Sequence, residues 1–322
     1  MRTEEAKPAS AVAIWAALSL VYLVWGSTYL AIRVAIRTLP PLMMSGFRFL
    51  IAGGALYAFA IRRGDREGDR PEPVQWRAAA IVGATLLLGG NGAVVVAEQH
   101  ISSGLAALLV AMVPIWMAVI GSTVYRERLG KTAVLGLVVG FSGLVVLLNP
   151  GSHAHASALG AGLVVFASLS WASGSLYARR APLPARPLVA TSMQMITGGA
   201  LLLFAGIARG EISRFHPSSV QATSLAAWLY LVTAGSLLGF TAYAWLIRVA
   251  RTSLVGTYAY VNPVVAVFLG WILLNERVTI RTLFAGAIIV AGVALIVTSR
   301  TATVGTSEPV GSPADGPSPS EK

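Results

Sequence analysis

The chain has 322 residues, of which 56% are hydrophobic and 11% are charged, whereas a soluble domain carries about a quarter charged residues, so an ordinary soluble protein is excluded. The net charge of +11 and the pI near 10.5 do not predict a nucleic-acid partner, because the basic residues lie in short islands between apolar runs. No cysteine is present, which excludes disulfides, thiolate nucleophiles and sulfur-ligated metal sites.

Ten apolar stretches follow a short polar tail at 1–12, and most are long enough to cross a bilayer core, which takes about 20 residues. The predicted spans are 13–36, 41–61, 76–98, 103–123, 132–149, 158–178, 188–208, 223–247, 252–274 and 280–299. No small-residue cleavage site follows the first stretch, so we expect an uncleaved span. Residues 300–322 are rich in Ser, Thr, Pro and Gly and are expected to be disordered.

The basic residues are divided unequally between the two sides of this arrangement. If the N-terminus is cytoplasmic, 17 of the 24 Lys and Arg residues lie in cytoplasmic segments, 6 lie outside, and Arg48 lies within a span. Cytoplasmic segments of membrane proteins carry an excess of Lys and Arg. The distribution therefore predicts a multi-pass protein with both termini in the cytoplasm, and it accounts for the high pI.

An internal repeat organises the chain, because residues 252–297 repeat the pattern of residues 103–148. At an offset of 149 the matches are Pro114 with Pro263, Gly121 with Gly270, Glu127 with Glu276, Arg128 with Arg277 and Gly143 with Gly292. At an offset of 146 they include Trp25 with Trp171, Arg48 with Gln194 and Gly53 with Gly199. Each half, 13–149 and 158–299, then holds five spans, and a linker at 150–157 joins the halves. Since five is odd, the second half must be inverted, as in many secondary transporters that bind substrate near the midplane.

The segment WGSTYLAIRVAIRTLPPLMMSGFRFLIAGG at 25–54 and the paired Pro-x12-Glu-Arg blocks at 114–128 and 263–277 resemble the EamA family of the drug/metabolite transporter superfamily. The resemblance covers about 13–299 and looks closest to bacterial inner-membrane exporters of drugs, amino acids and other metabolites. It implies ten transmembrane helices in two inverted five-helix repeats around a central cavity, with the third and fourth helices of each half lining it. Small four-helix relatives use a glutamate in their first helix, and the corresponding spans here contain no acidic residue.

Aromatic and polar residues on the expected lining helices are candidates for substrate contacts. They are Trp25, Arg48, Asn91, Met112, Trp116, Trp171, Tyr243, Trp245, Tyr258, Tyr260 and Asn262. Such a wall suits a flat or amphipathic organic molecule. Each aromatic residue taken alone could instead face lipid or pack in the core, and the set as a whole indicates the lining.

Ionisable residues at membrane depth are candidates for function. Arg48 could bind an anionic substrate group through its planar fork, or it could pair with backbone carbonyls or extend toward the outer surface. Glu98, together with His100, could contact a proton or a cationic substrate. The alternative for Glu98 and His100 is that both are solvated at the outer interface.

Two further pairs recur symmetrically in the halves. Pro114 and Pro263 could form flexible kinks that widen the cavity, or fixed bends. Glu127 with Arg128, and Glu276 with Arg277, follow predicted helix ends. We interpret these pairs as structural elbows that position the next helix.

The sequence therefore predicts an inner-membrane secondary transporter that exports small organic metabolites or drugs by alternating access. The alternatives are a facilitative uniporter or importer of the same fold, and a membrane receptor or interaction protein that does not transport. No HExxH, GxSxG or Walker motif is present, so we expect no enzyme activity, no cofactor and no metal site. The expected partners are a small-molecule substrate and the lipid bilayer, and a monomer should suffice because one chain holds both halves of the cavity.

Overall fold

The computed structural model describes residues 10–62, 71–126, 129–148, 157–250, 252–255 and 257–302, and this part of the chain is helical. Ten apolar helices run through it. They are α1 (Ala11–Ala35), α2 (Pro41–Arg62), α3 (Pro73–Ala97), α4 (Ser103–Thr123), α5 (Lys131–Leu148), α6 (Ala158–Ala178), α7 (Pro187–Ala208), α8 (in three parts, Ala222–Tyr230, Leu231–Leu238 and Gly239–Val249), α9 (Tyr258–Leu274) and α10 (Ile280–Ala302). Eight of them are long and apolar enough to cross a membrane, and α5 and α9 are shorter.

The predicted all-helical membrane fold is confirmed, and most helix ends agree with the sequence to within a few residues. The exception is α9, which begins at Tyr258 because Thr252–Val255 forms a separate short helix before it. Gly256, a poor helix former, lies between the two in sequence. Most of the predicted tails and linker, together with Glu127 and Arg128, lie outside the described residues.

Local sequence explains where several helices begin. Proline occupies the first position of α2, α3 and α7, where its missing N–H would have had no partner within the helix. The side chains of Ser10, Ser102 and Ser157 accept hydrogen bonds from the free backbone N–H groups at the starts of α1, α4 and α6. These local signals indicate where those helices begin without reference to long-range packing.

Two pairs of equivalent helices, α2 with α7 and α5 with α10, pack against each other in antiparallel fashion. In α2 and α7, Gly46 lies against Leu203 and Gly53 lies against Met195, so residue numbers run in opposite directions along the contact. In α5 and α10, a Cβ added at Gly292 would lie 2.5 Å from the backbone nitrogen of Gly140. Glycine is required there because the two backbones approach so closely. Antiparallel contact between equivalent helices means that one half is inverted relative to the other.

Helices α3 and α8, the third of each half, both contain wide π-helical turns at matching places. These turns are Ala84–Gly92 in α3 and Leu231–Leu238 in α8. Such turns displace the side chains that follow them, and they are frequent at functional sites.

The symmetry is not carried through α4 and α9. Helix α4 is interrupted at Ala111 and Met112, so Pro114 lies in the first turn of the segment Val113–Thr123. Pro263, in contrast, lies inside the continuous helix α9. The two prolines, expected to form matching kinks, therefore occupy different local structures.

Candidate functional site

A cavity of about 330 Å³ lies between the two halves, at the small end of the range for ligand pockets. Its described lining comes from α1 to α4 and from α6 to α9, while α5 and α10 pack together at the side of the bundle. Both π-helical turns adjoin it. Leu86, Gly90 and Asn91 of the first turn line the wall directly, and the second turn holds two lining side chains in place.

An aromatic cluster forms one wall of the cavity. The ring of Trp25 lies 5.1 to 5.3 Å, between centroids, from the rings of Phe240, Tyr243 and Tyr258. The Trp25 indole N–H donates to the carbonyl of Gly235 at 3.3 Å. The Phe240 and Tyr258 rings meet Trp25 edge to face, and such packing fixes ring orientation, so the wall presents a rigid apolar surface.

Arg48 is the basic residue of the described lining, and only 4% of its surface is exposed. Its Nε donates to the Ser236 hydroxyl at 2.9 Å, and its guanidinium carbon lies 4.7 Å from the ring centroid of Phe49. Its Nη1 has no hydrogen-bond partner in the described part of the chain. The side chain therefore does not extend to the surface, contrary to one interpretation of the sequence.

Two amides supply neutral polar groups to the same cavity. The Oδ1 atoms of Asn91 and Asn262 are buried and have no hydrogen-bond partner among the described residues. Buried polar atoms are normally paired, and leaving one unpaired costs about 1–3 kcal/mol. These atoms are therefore available to accept hydrogen bonds from a ligand or from water.

Most of the residues that the sequence pointed to as lining candidates meet at this cavity. They are Trp25, Arg48, Asn91, Trp171, Tyr243, Tyr258 and Asn262, with both Pro114 and Pro263. Those that lie elsewhere are Met112, Trp116, Trp245 and Tyr260. Met112 is fully buried in the core cluster that joins α4 to α10, and Tyr260 packs at its edge.

The pair expected on α4, Met112 and Trp116, lies off the face of the helix that lines the cavity. The lining residues Ala107, Ala111 and Pro114 recur at helical spacing across the interruption, while Trp116 packs against Phe141 and donates to Ser168 at 3.0 Å. Trp245 packs instead in the cluster around Leu246.

Several lining residues were missed by sequence reasoning, and two of them carried a usable signal. Tyr29 follows Trp25 by one helical turn, and Gln194 is the repeat counterpart of Arg48. Thr28, Phe49, Ser168 and Phe240 carried none beyond their place on a lining helix.

Glu98 is fully buried where α3 ends, so the interpretation that it is solvated does not hold. Neither of its carboxylate oxygens has a hydrogen-bond partner in the described residues, and Arg33 donates to its backbone carbonyl instead. His100, in contrast, is exposed. It lines a second cavity of about 340 Å³ with Arg33, Arg37, Ile101, Ser102, Leu274 and Glu276. Glu98 and His100 therefore have different environments.

Glu276 links the second half to the first at the same end of the bundle. Its carboxylate accepts hydrogen bonds from the backbone N–H groups of Ser103 and Gly104, at the N-terminus of α4. Asn275, just before it, adopts a left-handed conformation with φ of 52° that ends α9. Arg277, expected to share this elbow, is exposed.

Comparison with known proteins gives one consistent result. The EamA-like transporter family matches residues 11–149 and 158–298, which are the two repeats. The inner membrane transporter YedA of Escherichia coli (strain K12) is 38% identical over 284 residues, covering 88% of this chain and 90% of that protein.

More distant relatives agree. A protein of Escherichia coli (strain K12) named "Probable amino-acid metabolite efflux pump" is 26% identical over 290 residues, covering 84% of this chain and 90% of its own. A protein of known crystal structure, 22% identical, superimposes with a TM-score of 0.61 over 91% of this chain and 99% of its own, which shows the fold alone. Since the family match covers both repeats, the chain belongs to the EamA-like transporter family of drug/metabolite transporters.

Proposed function

We propose that this membrane transporter exports small organic metabolites or drugs across the bacterial cytoplasmic membrane, with both termini in the cytoplasm. The observation that carries the proposal is the cavity between two halves that pack as antiparallel equivalents. Rocking of such halves about their contacts opens the same site to either side in turn. The amino-acid metabolite efflux named for one relative supports the export direction.

Glu98 is the residue we propose for coupling to a proton or cation. An unpaired carboxylate removed from water costs several kcal/mol unless a proton or a cation neutralises it. Glu98 follows Val94, which lines the central cavity, by one helical turn, and its backbone carbonyl accepts from Arg33, which lines the second cavity. It is therefore close to both cavities, and a proton could be exchanged through the second one.

The test is accumulation of labelled amino acids, aromatic carboxylates and cationic dyes in everted membrane vesicles, whose lumen represents the cell exterior. We expect accumulation above vesicles without the protein, and we expect it to collapse when the proton gradient is dissipated. Equilibration that ignores the gradient would support facilitated transport instead, and uptake only into right-side-out vesicles would support import. No movement of any compound would favour a receptor.

Two matched tryptophan substitutions test whether transport depends on the cavity. Trp171 lines the cavity, whereas Trp271 is 56% exposed on the outside of α9. We expect Trp171→Ala to reduce transport about tenfold or more and Trp271→Ala to leave it near the level of the unmodified protein. Equal effects of the two substitutions would contradict the assignment of the cavity.

A further inference from the structure

We propose that the central cavity selects organic anions that carry a flat apolar group, and that Arg48 binds the anionic group. The inference rests on the proposed function in one respect, since it takes the central cavity to be the substrate site. It goes further by naming the chemical class of the substrate.

Arg48 has no acidic partner among the described residues that line the cavity. A guanidinium at this depth, seven residues into α2, normally pairs with a carboxylate, because an unpaired buried charge is costly. Nη1 lacks any partner in the same part of the chain, so Arg48 keeps a donor for a group that enters from the cavity.

Helix α8 holds the guanidinium of Arg48 in place. Ser236 accepts from its Nε, and the absence of a side chain at Gly235 leaves space for Nη2, since a Cβ there would lie 3.1 Å from that atom. The guanidinium is thus positioned by α8 without being neutralised. A guanidinium that is held in place and has a free N–H donor suits a carboxylate, whose two oxygens lie in one plane.

Only one of the two equivalent positions in the repeat carries a charge in the cavity. The repeat counterpart of Arg48 is Gln194, which also lines the cavity and is neutral. The remaining acceptors, such as the Asn91 and Asn262 amide oxygens, can receive an N–H but cannot neutralise an ammonium group. The cavity therefore favours a ligand with net negative charge over a zwitterion, and both over a cation.

Arg48 lies close to the aromatic wall. Trp25 donates to the carbonyl of Gly235, and Arg48 donates to Ser236, so both side chains are anchored on the same turn of α8. A ligand that reaches both has its anionic group close to a flat apolar body. Aromatic carboxylates have this shape.

The experiment is calorimetric titration of the purified, full-length protein with four related indoles. Indole-3-propionate is an anion, tryptophan is its zwitterionic counterpart, tryptamine is a cation and 3-ethylindole is neutral. We expect indole-3-propionate to bind about tenfold or more tightly than 3-ethylindole and tryptamine, with tryptophan between them, as one charge-assisted hydrogen-bonded pair provides. Equal or tighter binding of tryptamine or 3-ethylindole, or no binding of any probe, overturns the proposal.

Variants assign the preference to Arg48. Arg48→Gln should abolish the advantage of indole-3-propionate over 3-ethylindole, whereas Arg37→Gln, which removes a basic residue from the second cavity, should preserve it. If thermal unfolding shows that the Arg48→Gln protein is not folded, Ser236→Ala serves instead. This substitution frees the guanidinium and should reduce the advantage of indole-3-propionate over 3-ethylindole severalfold. Preservation of the full advantage in the folded variant overturns the assignment.

The binding measurement needs no gradient and no transport, so the two proposals fail separately. Anion-selective binding without movement in vesicles would remove the proposed export and leave the anion site. Transport of cationic dyes with no anion-selective binding would leave export and remove the anion site.

Discussion

The carboxylate of Glu276 accepts hydrogen bonds from both the backbone N–H and the hydroxyl of Ser103, each at 2.9 Å, although the two residues belong to opposite halves of the repeat. A third bond comes from the backbone N–H of Gly104 at 3.2 Å. The N-terminus of a helix carries partial positive charge, so a carboxylate is a favourable cap for α4. Glu211 caps α2 in the same way, accepting from Leu42 and Met43. Two acidic residues of the second half thus hold two helices of the first half at the end of the bundle where Glu98 lies.

We predict that Glu276→Gln weakens this contact and opens that end of the transporter. An amide cannot accept all three hydrogen bonds and carries no charge, so the free energy of unfolding should fall by about 1–2 kcal/mol. Because the chain contains no cysteine, Ala107→Cys introduces a single reporter on the cavity wall, one turn beyond Ser103. A membrane-impermeant maleimide should label it severalfold faster in the Glu276→Gln background.

The control for this prediction is Ser157→Ala, which removes a cap that lies within α6 alone. It should lower stability by up to about 1 kcal/mol without changing the labelling rate. Equal labelling rates with and without the Glu276 carboxylate would mean that the contact does not control access.

The repeat made much of this architecture predictable from the sequence. A shared offset placed Trp25 and Trp171, and Arg48 and Gln194, at equivalent positions, and all four line the cavity. A kink or bend was expected at Pro114, and α4 is interrupted within the turn before it, because proline lacks the N–H that would bond to that turn. The sequence did not show which face of α4 turns inward, since the helix is apolar on every side, and Met112 and Trp116 lie off the lining face.

Long-range contacts were equally out of reach of local patterns. Glu276 was identified as a structural elbow, but its partner Ser103 is 173 residues away in the chain. Glu98 was expected to be solvated or functional, and its burial depends on how α1 and α6 close over the end of α3, as the packing of Gly160 against Ala97 and Ile101 illustrates. Burial of a single side chain at a helix end is set by such packing and not by periodicity.

A second prediction concerns the glycine behind Trp25. A Cβ built at Gly239 would overlap the indole nitrogen of Trp25, so Gly239→Ala should displace that ring from the Gly235 carbonyl and from the aromatic wall. We expect transport of any identified substrate to fall about tenfold, because a misplaced wall residue weakens every contact that the cluster makes. Transport in vesicles and thermal unfolding are the two measurements.

The matched control is Gly54→Ala in α2, where an added Cβ meets no atom within 4 Å. This substitution should leave transport unchanged and should raise stability by up to about 1 kcal/mol, because alanine is the better helix former. If Gly239→Ala transports as well as Gly54→Ala, the position of Trp25 is not important for substrate binding.

The last prediction separates the coupling role of Glu98 from a structural one. Glu98→Gln keeps the shape of the side chain and removes its capacity to bind and release a proton. Since the buried carboxylate has no hydrogen-bond partner in the described residues, its removal should leave the free energy of unfolding unchanged or raise it by about 1 kcal/mol. Accumulation driven by a proton gradient should be lost, while equilibration of substrate down its own gradient should continue. Glu72→Gln, which changes an exposed acidic residue at the N-terminus of α3, should lower stability by up to about 1 kcal/mol and leave gradient-driven accumulation intact. A Glu98→Gln protein that still concentrates substrate would exclude Glu98 from coupling, and one that unfolds at a clearly lower temperature would show that the carboxylate stabilises the fold.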